Sequence, residues 1–458
     1  MNSHEFTQKE PIAAIATALG EAGIAVVRVS GKDCISKVNT IFKGNDLTQK
    51  PSHTVHFGRL YNGATLIDEV LVTLFRSPHS YTGEESAEIS CHGGVLVTQA
   101  VLEAVMSTGI RMALAGEFTQ RAFLNGKMEL TQAEAVADLI HAKSRRAVDA
   151  AGQQLEGELG KHIRKFRQAI IDATAMVELE LDFVEEDVEF ANRDQLDRLL
   201  SELDEDLLKL LNTYEAGRLV KYGIRTAFVG MPNAGKSTLL NTLIGTDRAI
   251  VSEVAGTTRD TIDADWSHEG LLFRLIDTAG IRETVDFIEA EGVRRSEKAI
   301  DQADLVVYLK DLTTSLTGGE RSKIETVRSR KPDQPFILIG TKSDIAPHPD
   351  PVGYYDLLIS ATNHTNIDTL KSLMKDRALE YKHYDASSLL ITSSRHRDAL
   401  SKTRNHIQSA LKALRDGVSG DFLSIDLRAA LHELGTVTGE ITNEDVLDSI
   451  FTRFCIGK

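Results

Sequence analysis

Ala227-Phe228-Val229-Gly230-Met231-Pro232-Asn233-Ala234-Gly235-Lys236-Ser237-Thr238-Leu239-Leu240-Asn241 reads as an apolar strand, a glycine loop and the start of a helix. Gly230 to Ser237 complete the phosphate-loop pattern G-x-x-x-x-G-K-S. A strand feeding such a loop aims backbone N–H groups at one point, and the helix N-terminus adds positive potential there. Gly230 and Gly235 let the backbone wrap closely. Lys236 can reach β and γ phosphates, and the Ser237 hydroxyl can hold Mg²⁺. The full pattern in strand–loop–helix context argues against a chance glycine turn.

Further signals select the nucleotide. Leu271 to Ile276 is a strand candidate ending in Asp277-Thr278-Ala279-Gly280. An Asp there can hold a metal-bound water, and the Gly280 N–H can meet a γ-phosphate. Phe336 to Gly340 is another strand, ending in Thr341-Lys342-Ser343-Asp344. The Asp344 carboxylate can accept two hydrogen bonds from guanine N1–H and its exocyclic amine, a donor pair that adenine lacks. The Lys342 stem can cover one base face, and Ser360-Ala361-Thr362 can meet the guanine carbonyl. In this order the motifs make GTP rather than ATP the expected nucleotide.

Three positions stand out. The usual first residue of the base-reading motif is Asn, and this chain has Thr341. One hydroxyl cannot replace two amide donors and a carbonyl, so a weaker tie to the phosphate loop and a modest affinity are expected. After Asp277-Thr278-Ala279-Gly280, where many regulatory GTPases place a water-orienting Gln, stands Ile281. Hydrolysis is then very slow, or a carboxylate of the acidic segment Arg282–Gly292 does the work. Asn233 reads equally as a turn residue and as an oxygen donor for a monovalent cation standing in for an arginine finger. Gly256-Thr257-Thr258-Arg259-Asp260 fits a switch loop whose Thr258 ligates Mg²⁺ while γ-phosphate is present.

These motifs resemble the MnmE (TrmE) family of tRNA-modification GTPases. The likeness covers nearly the whole chain and includes Tyr81-Thr82-Gly83-Glu84, the run Gly116 to Lys127, Asp277 to Glu283, and Phe454-Cys455-Ile456-Gly457-Lys458. The resemblance implies a potassium-activated GTPase whose G domains dimerise during turnover. Asn233, Ser252, Val254 and Thr257 match its K⁺ ligands, Ser237 and Thr258 its Mg²⁺ ligands, and Glu289 its water-orienting glutamate, acting with Lys236. The nucleotide-binding set would run through Asn233, Ala234, Gly235, Lys236, Ser237 and Thr238, then Ser252, Glu253, Val254, Ala255, Gly256, Thr257 and Thr258. It would continue through Asp277, Thr278, Ala279 and Gly280 to Thr341, Lys342, Asp344, Ser360, Ala361 and Thr362.

The resemblance further implies an N-terminal domain that binds a tetrahydrofolate derivative of the 5-formyl or methylene type. Arg28, Glu88, Lys127 and Lys458 match its folate contacts. It implies a homodimer and an FAD-carrying partner, MnmG, in a heterotetramer or larger assembly. Together these would install a 5-carboxymethylaminomethyl-type group on the wobble uridine of certain tRNAs. Two other readings stay open at this point: a ribosome-assembly or RNA-chaperone-type GTPase, and a GTP-switched scaffold without fast turnover. The first would carry a basic RNA-binding module, and none is visible.

Length and composition bound the rest. At 458 residues, two or three domains are expected. Apolar residues make up 42%, with no run approaching a membrane span and no basic-then-apolar leader, so a cytoplasmic protein is expected. Cys34, Cys91 and Cys455 have neither metal nor disulfide spacing. Cys455 reads as a packed tail thiol somewhat more readily than as a nucleophile toward uracil C6, because no activating His or Lys–Asp pair accompanies it. A net charge of −15 argues against a surface that coats nucleic acid, so tRNA needs a local basic patch or a basic partner.

By pattern, the first ~120 residues are mixed α/β, with strands near Ile24–Val29, Glu69–Phe75 and Ala87–His92 and a helix from Val95 to Ser107. Arg28 and Glu88 inside apolar strands read as an ion pair or, on the resemblance, as ligand contacts. His92 before Gly93-Gly94 reads as a turn histidine. Thr131 and Glu134 suggest a capping box. Leu155, Leu159, Ile163, Phe166, Ile170, Thr174, Val177 and Leu181 describe one long amphipathic helix, and Leu196 to Leu210 another. Helical pattern returns from about Ser388 to Leu414 and from Asp426 to Phe451, with a loop at Asp416–Gly420. The expected architecture is multidomain. An α/β folate-binding and dimerisation domain occupies 1–124, and a discontinuous helical bundle occupies 125–217 and 381–458. A Ras-like P-loop GTPase domain is inserted at 218–380.

Overall fold

The computed structural model describes residues 10–182, 193–246, 264–276, 297–345, 352–380 and 389–458. The chain divides into two compact units: residues 1–137, 154–163 and 435–458 form one, and residues 138–153 and 164–434 the other.

The first unit is built on a seven-stranded sheet. Its strands are β1 (Ile12–Ile15), β2 (Ala22–Ser30), β3 (Phe42–Gly44), β4 (Thr54–Asn62), β5 (Thr65–Phe75), β6 (Ser86–Gly93) and β7 (Arg111–Met112), in the order β3-β4-β5-β6-β2-β1-β7. Every pairing is antiparallel except β1 with β7. Period-two alternation sends Val27, Val29, Val70, Val72, Leu74 and Ile89 to one face. There they form one core with Ile35 and Val38 of α1 (Cys34–Ile41) and Val101 and Val105 of α2 (Val95–Ser107). On the opposite face, Ile12 and Ala14 pack with Phe118 of α3 (Glu117–Leu124) and with Tyr81. The C-terminal helix α15 (Glu444–Phe451) joins here, where Ile450, Phe451 and Phe454 pack with Leu130 and Ala133 of α4 (Leu130–His141).

Two helix boundaries correct the sequence reading. Thr131 lies fully buried inside α4 rather than at its cap. The reciprocal bond comes from Gln132, whose Oε1 accepts from the Glu129 N–H at 2.9 Å. Leu155 ends α5 (Arg145–Leu155), and the long helix α6 runs from Glu158 to Asp182. Gly157, at φ 80°, turns the chain between them, a conformation costly for any residue with a Cβ.

The second unit holds a six-stranded sheet and helices. Its strands are β8 (Ile224–Gly230), β9 (Asp265–His268), β10 (Leu271–Leu275), β11 (Leu305–Asp311), β12 (Phe336–Thr341) and β13 (Leu357–Leu358), in the order β13-β12-β11-β8-β10-β9. All pairings are parallel except the β9–β10 hairpin. β11 is absent from the sequence reading, although its run Leu305–Leu309 is fully buried. One face packs with Leu239 and Leu243 of α9 (Lys236–Thr246) and with Leu370 and Met374 of α12 (Ile367–Glu380). The single tryptophan, Trp266, is 1% exposed and stacks on Phe273 with ring centroids 5.1 Å apart. A helical stretch at 297–302 (α10) and α11 (Gly318–Arg330) complete this part.

The predicted leucine stripe of α7 (Arg193–Asn212) is buried at Leu196, Leu200, Leu203, Leu207 and Leu210. α7 packs on α13 (Ser394–Arg415), and Arg404–Asp204 and Arg415–Asp197 pairs at 2.9 and 2.6 Å connect the two. α8 (Tyr214–Tyr222) leads into β8, while α14 (Gly420–Thr438) ends five residues before the N-cap Asn443 of α15, so Asp426–Phe451 is two helices. Among the described residues no helix is long and apolar enough to cross a membrane.

Candidate functional site

In an open parallel sheet, ligands gather beyond the carboxyl ends of the strands. β8 ends at Gly230, β11 at Asp311 and β12 at Thr341, so the phosphate loop and the base loop open on one side. Gly230 (φ 155°) lets the strand run directly against β11, where an added Cβ would lie 2.4 Å from the Leu309 carbonyl. Asn233 is exposed at φ 64° and Gly235 sits at φ 88°, so the loop folds back before α9 begins at Lys236. Ser237 and Thr238 are exposed in the first turn of α9.

Lys236 closes the loop on itself. Its Nζ donates to the Gly230 and Met231 carbonyls at 2.9 and 3.0 Å. Burial lowers the pKa of this ammonium, and among the described residues no carboxylate offsets the effect. A cation on two neutral acceptors at a helix N-terminus is arranged for an anion.

The base loop is tied to the phosphate loop. Thr341 is 4% exposed, and its hydroxyl donates to the Ala234 carbonyl at 2.8 Å, with the Lys310 carbonyl at 3.1 Å. The tie expected to weaken without Asn is therefore made by the threonine itself, as one hydrogen bond. Lys342, at φ 60°, places Nζ 2.5 Å from the Asp311 carboxylate. Asp344 is exposed, and the Ser343 N–H donates to the Ile359 carbonyl at 3.0 Å. The Ala361 carbonyl accepts from Thr242 of α9 at 3.1 Å. Ser360 is buried, and its hydroxyl caps the Asn363 N–H at 3.1 Å, which shapes the loop through Thr362. Sequence reasoning missed Thr242 and Asp311. The signal for Asp311 was an acid ending an apolar run, as Asp277 does.

Ser252, Glu253, Val254, Ala255, Gly256, Thr257, Thr258, Asp277, Thr278, Ala279, Gly280, Ile281 and Glu289 lie outside the described residues.

A second cluster lies in the N-terminal unit. Arg28 on β2 pairs with Glu88 on β6 at 2.9 Å, and its guanidinium lies 5.3 Å from the Tyr81 ring centroid and 5.8 Å from that of Phe118. Lys127 donates to the Pro78 carbonyl at 3.1 Å, and the Lys458 carbonyl accepts from the Phe118 N–H at 3.2 Å. His92, read from sequence as a turn residue, lies within β6 with Nδ1 2.7 Å from Asp68, and Cys455 is exposed.

Around this cluster the Tyr81–Glu84 and Gly116–Lys127 motifs fold into a buried polar network. Arg121, 4% exposed, pairs with Glu117 at 2.8 Å and with Glu84 at 3.2 Å. Arg111 reaches Glu117 at 2.5 Å, and Ser30 donates to Glu84 at 2.9 Å. Burial pushes the Glu117 carboxyl up, but Arg111, the Leu114 N–H and Arg121 outweigh it and hold the group below the usual carboxylate range. With both carboxylates held by guanidinium groups, this network suits a scaffold role.

Family models match both parts of the chain. The GTP-binding protein TrmE N-terminus covers residues 11–127, and the MnmE helical domain covers 130–455. The chain belongs to the MnmE family. The tRNA modification GTPase MnmE of Salinibacter ruber is 48% identical over 462 residues, spanning 99% of this chain and 100% of the relative. That of Chlorobaculum tepidum is 42% identical over 98% of this chain and 97% of its own length. Among solved structures, Aquifex aeolicus Era matches 40% of this chain and 66% of its own at 23% identity and a TM-score of 0.24. The G domain of T. maritima FeoB matches 34% and 98% at 22% identity and a TM-score of 0.25.

Proposed function

We propose that this MnmE-family chain is a potassium-activated GTP hydrolase that, with an FAD-bearing MnmG-type partner, modifies the wobble uridine of certain tRNAs, drawing one carbon from a folate. The observation that carries the nucleotide part is Lys236, a partly buried cation held among the described residues by loop carbonyls alone, with the base loop braced 107 residues away in sequence. Lys236 and the loop N–H groups neutralise the β and γ phosphates, and Asp344 selects guanine. Ser237, with Thr258, is suited to Mg²⁺, and Asn233, with Ser252, Val254 and Thr257, to K⁺. Such cations supply charge stabilisation at the transferring phosphoryl group. Glu289 takes the water-orienting role that Ile281 cannot. The G domain spans 218–380 between two parts of a helical bundle.

The folate reading is supported by the Arg28–Glu88 pair beside Tyr81 and Phe118: Glu88 suits a pterin edge, and Arg28, Lys127 and Lys458 an anionic tail. The homodimer reading is supported by the sheet face bearing Val55, Phe57 and Leu71, which are 57, 63 and 45% exposed, with Phe57 opposite Leu71. An acidic chain meeting tRNA beside a partner relieves the charge conflict.

The test is GTP turnover by the purified chain in K⁺ and in Na⁺, paired with nucleoside analysis of tRNA from cells lacking the gene. The expectation is hydrolysis about tenfold or more faster in K⁺, the size of one lost transition-state charge contact, and loss of the C5-modified uridine. Equal rates in both salts sink the Asn233 assignment, and unchanged tRNA sinks the modification role.

A further inference from the structure

At residue 341 the donors can be counted. A threonine hydroxyl has one proton. Two carbonyls face it, Ala234 at 2.8 Å and Lys310 at 3.1 Å, and the residue is 4% exposed. The Thr341 carbonyl is engaged by the Leu312 N–H at 3.1 Å. The next side chain, Lys342, directs its ammonium to Asp311 at 2.5 Å. An asparagine at 341 would carry two amide protons, one for the phosphate-loop carbonyl and one to offer a base. Guanine presents acceptors N7 and O6 on one edge and donors N1–H and N2–H₂ on another.

We infer that this chain reads guanine through its N1/N2 donor edge and O6 alone, leaving N7 without a partner. Thr341 is a positioning residue that braces the phosphate loop against the base loop. The inference rests on the GTP reading above and goes beyond it by naming which atoms of the base are selected. Base choice then depends on Asp344, whose carboxylate is exposed and free to meet two donors. Replacing N7 by a C–H group removes an acceptor that nothing at residue 341 can address.

The experiment is equilibrium binding of the full-length chain to GDP, 7-deaza-GDP and inosine diphosphate, by calorimetry. For the wild type, 7-deaza-GDP should bind within about twofold of GDP, because no hydrogen bond is lost. Inosine diphosphate, without the N2 amine, should bind about tenfold or more weaker. Thr341→Asn supplies the second donor and should open a three- to tenfold preference for GDP over 7-deaza-GDP, about the value of one hydrogen bond. Thr341→Ser keeps one proton and should leave the wild-type ratio; it serves as the control if Thr341→Asn folds poorly. Thr341→Val should weaken both ligands by the same factor, since the brace and not a base contact is lost.

A wild type that favours GDP over 7-deaza-GDP by about threefold or more overturns the inference, because that is the value of a formed hydrogen bond. A Thr341→Asn protein with an unchanged ratio overturns the role given to residue 341. Either result, with a wild type that binds GDP, leaves the GTPase reading standing. One that binds no guanine nucleotide sinks that reading and this inference together.

Discussion

The two sheets treat charge in opposite ways. Beside the seven-stranded sheet, Arg121 and Glu117 are buried, Glu84 and Arg111 are partly exposed, and each carboxylate meets a guanidinium within 3.2 Å. In the six-stranded sheet, Lys236 rests on two carbonyls and its charge is destabilised by burial. The first arrangement sets acid against base, and in the second the cation has neutral carbonyls for partners. Closed ion networks hold a domain together, whereas a cation without an anion marks where chemistry is to occur. The Arg28–Glu88 pair lies between these cases, closed in geometry but 17 and 30% exposed.

Breaking the closed network should have the largest effect. Arg121→Met takes the guanidinium from Glu84 and leaves Glu117 with Arg111 alone, and urea unfolding of the N-terminal unit should show a loss of about 3 kcal/mol. GTP turnover below the unfolding transition should stay near wild type. Lys236→Ala should do the reverse. Turnover should fall about 10²- to 10³-fold, the scale of one lost transition-state charge contact. The thermal midpoint should not fall, because a desolvated cation has been removed. A large drop in the midpoint would erase the contrast between the sheets.

Arg28→Met sharpens the intermediate case. Its stability cost should be about 1 kcal/mol or less, as for partly exposed pairs. Binding of 5-formyltetrahydrofolate, measured by calorimetry, should be abolished, and a retained affinity would return the pair to a structural role. The smallest effect should be in acid. Glu117 titrates below its unfolded value, so its contribution is whole above that value, about 4.3, and is lost as pH falls through the folded one. Between pH 7 and 5 the N-terminal unit should hold its stability, with loss beginning below about pH 4. In Glu117→Gln the remaining acid dependence should be shallower.

Legibility in sequence followed the same division. The phosphate loop was readable because its chemistry is local: Gly230, Gly235 and Lys236 act within eight residues of one another. Elements of the N-terminal sheet were readable from alternation around Val27, Arg28 and Val29. The role of Arg121 was not, because its partners Glu84 and Glu10 are 37 and 111 residues distant. The Thr341 brace was hidden for the same reason, since its acceptor at Ala234 is reached through the fold alone. Thr131 looked like a cap because hydroxyls favour that position. Gln132 in fact makes the reciprocal bond from inside the helix, and Leu130 starts the helix one residue before Thr131. β11 carries no alternation because both its faces are covered.

The stacked Trp266–Phe273 pair gives the molecule an optical asymmetry. All indole emission originates in β9 of the GTPase sheet, and the N-terminal unit is dark at that excitation. Indole fluorescence therefore follows the melting of one unit, while far-ultraviolet dichroism follows the melting of both. The separation of the two curves measures how far these units unfold independently, without any label.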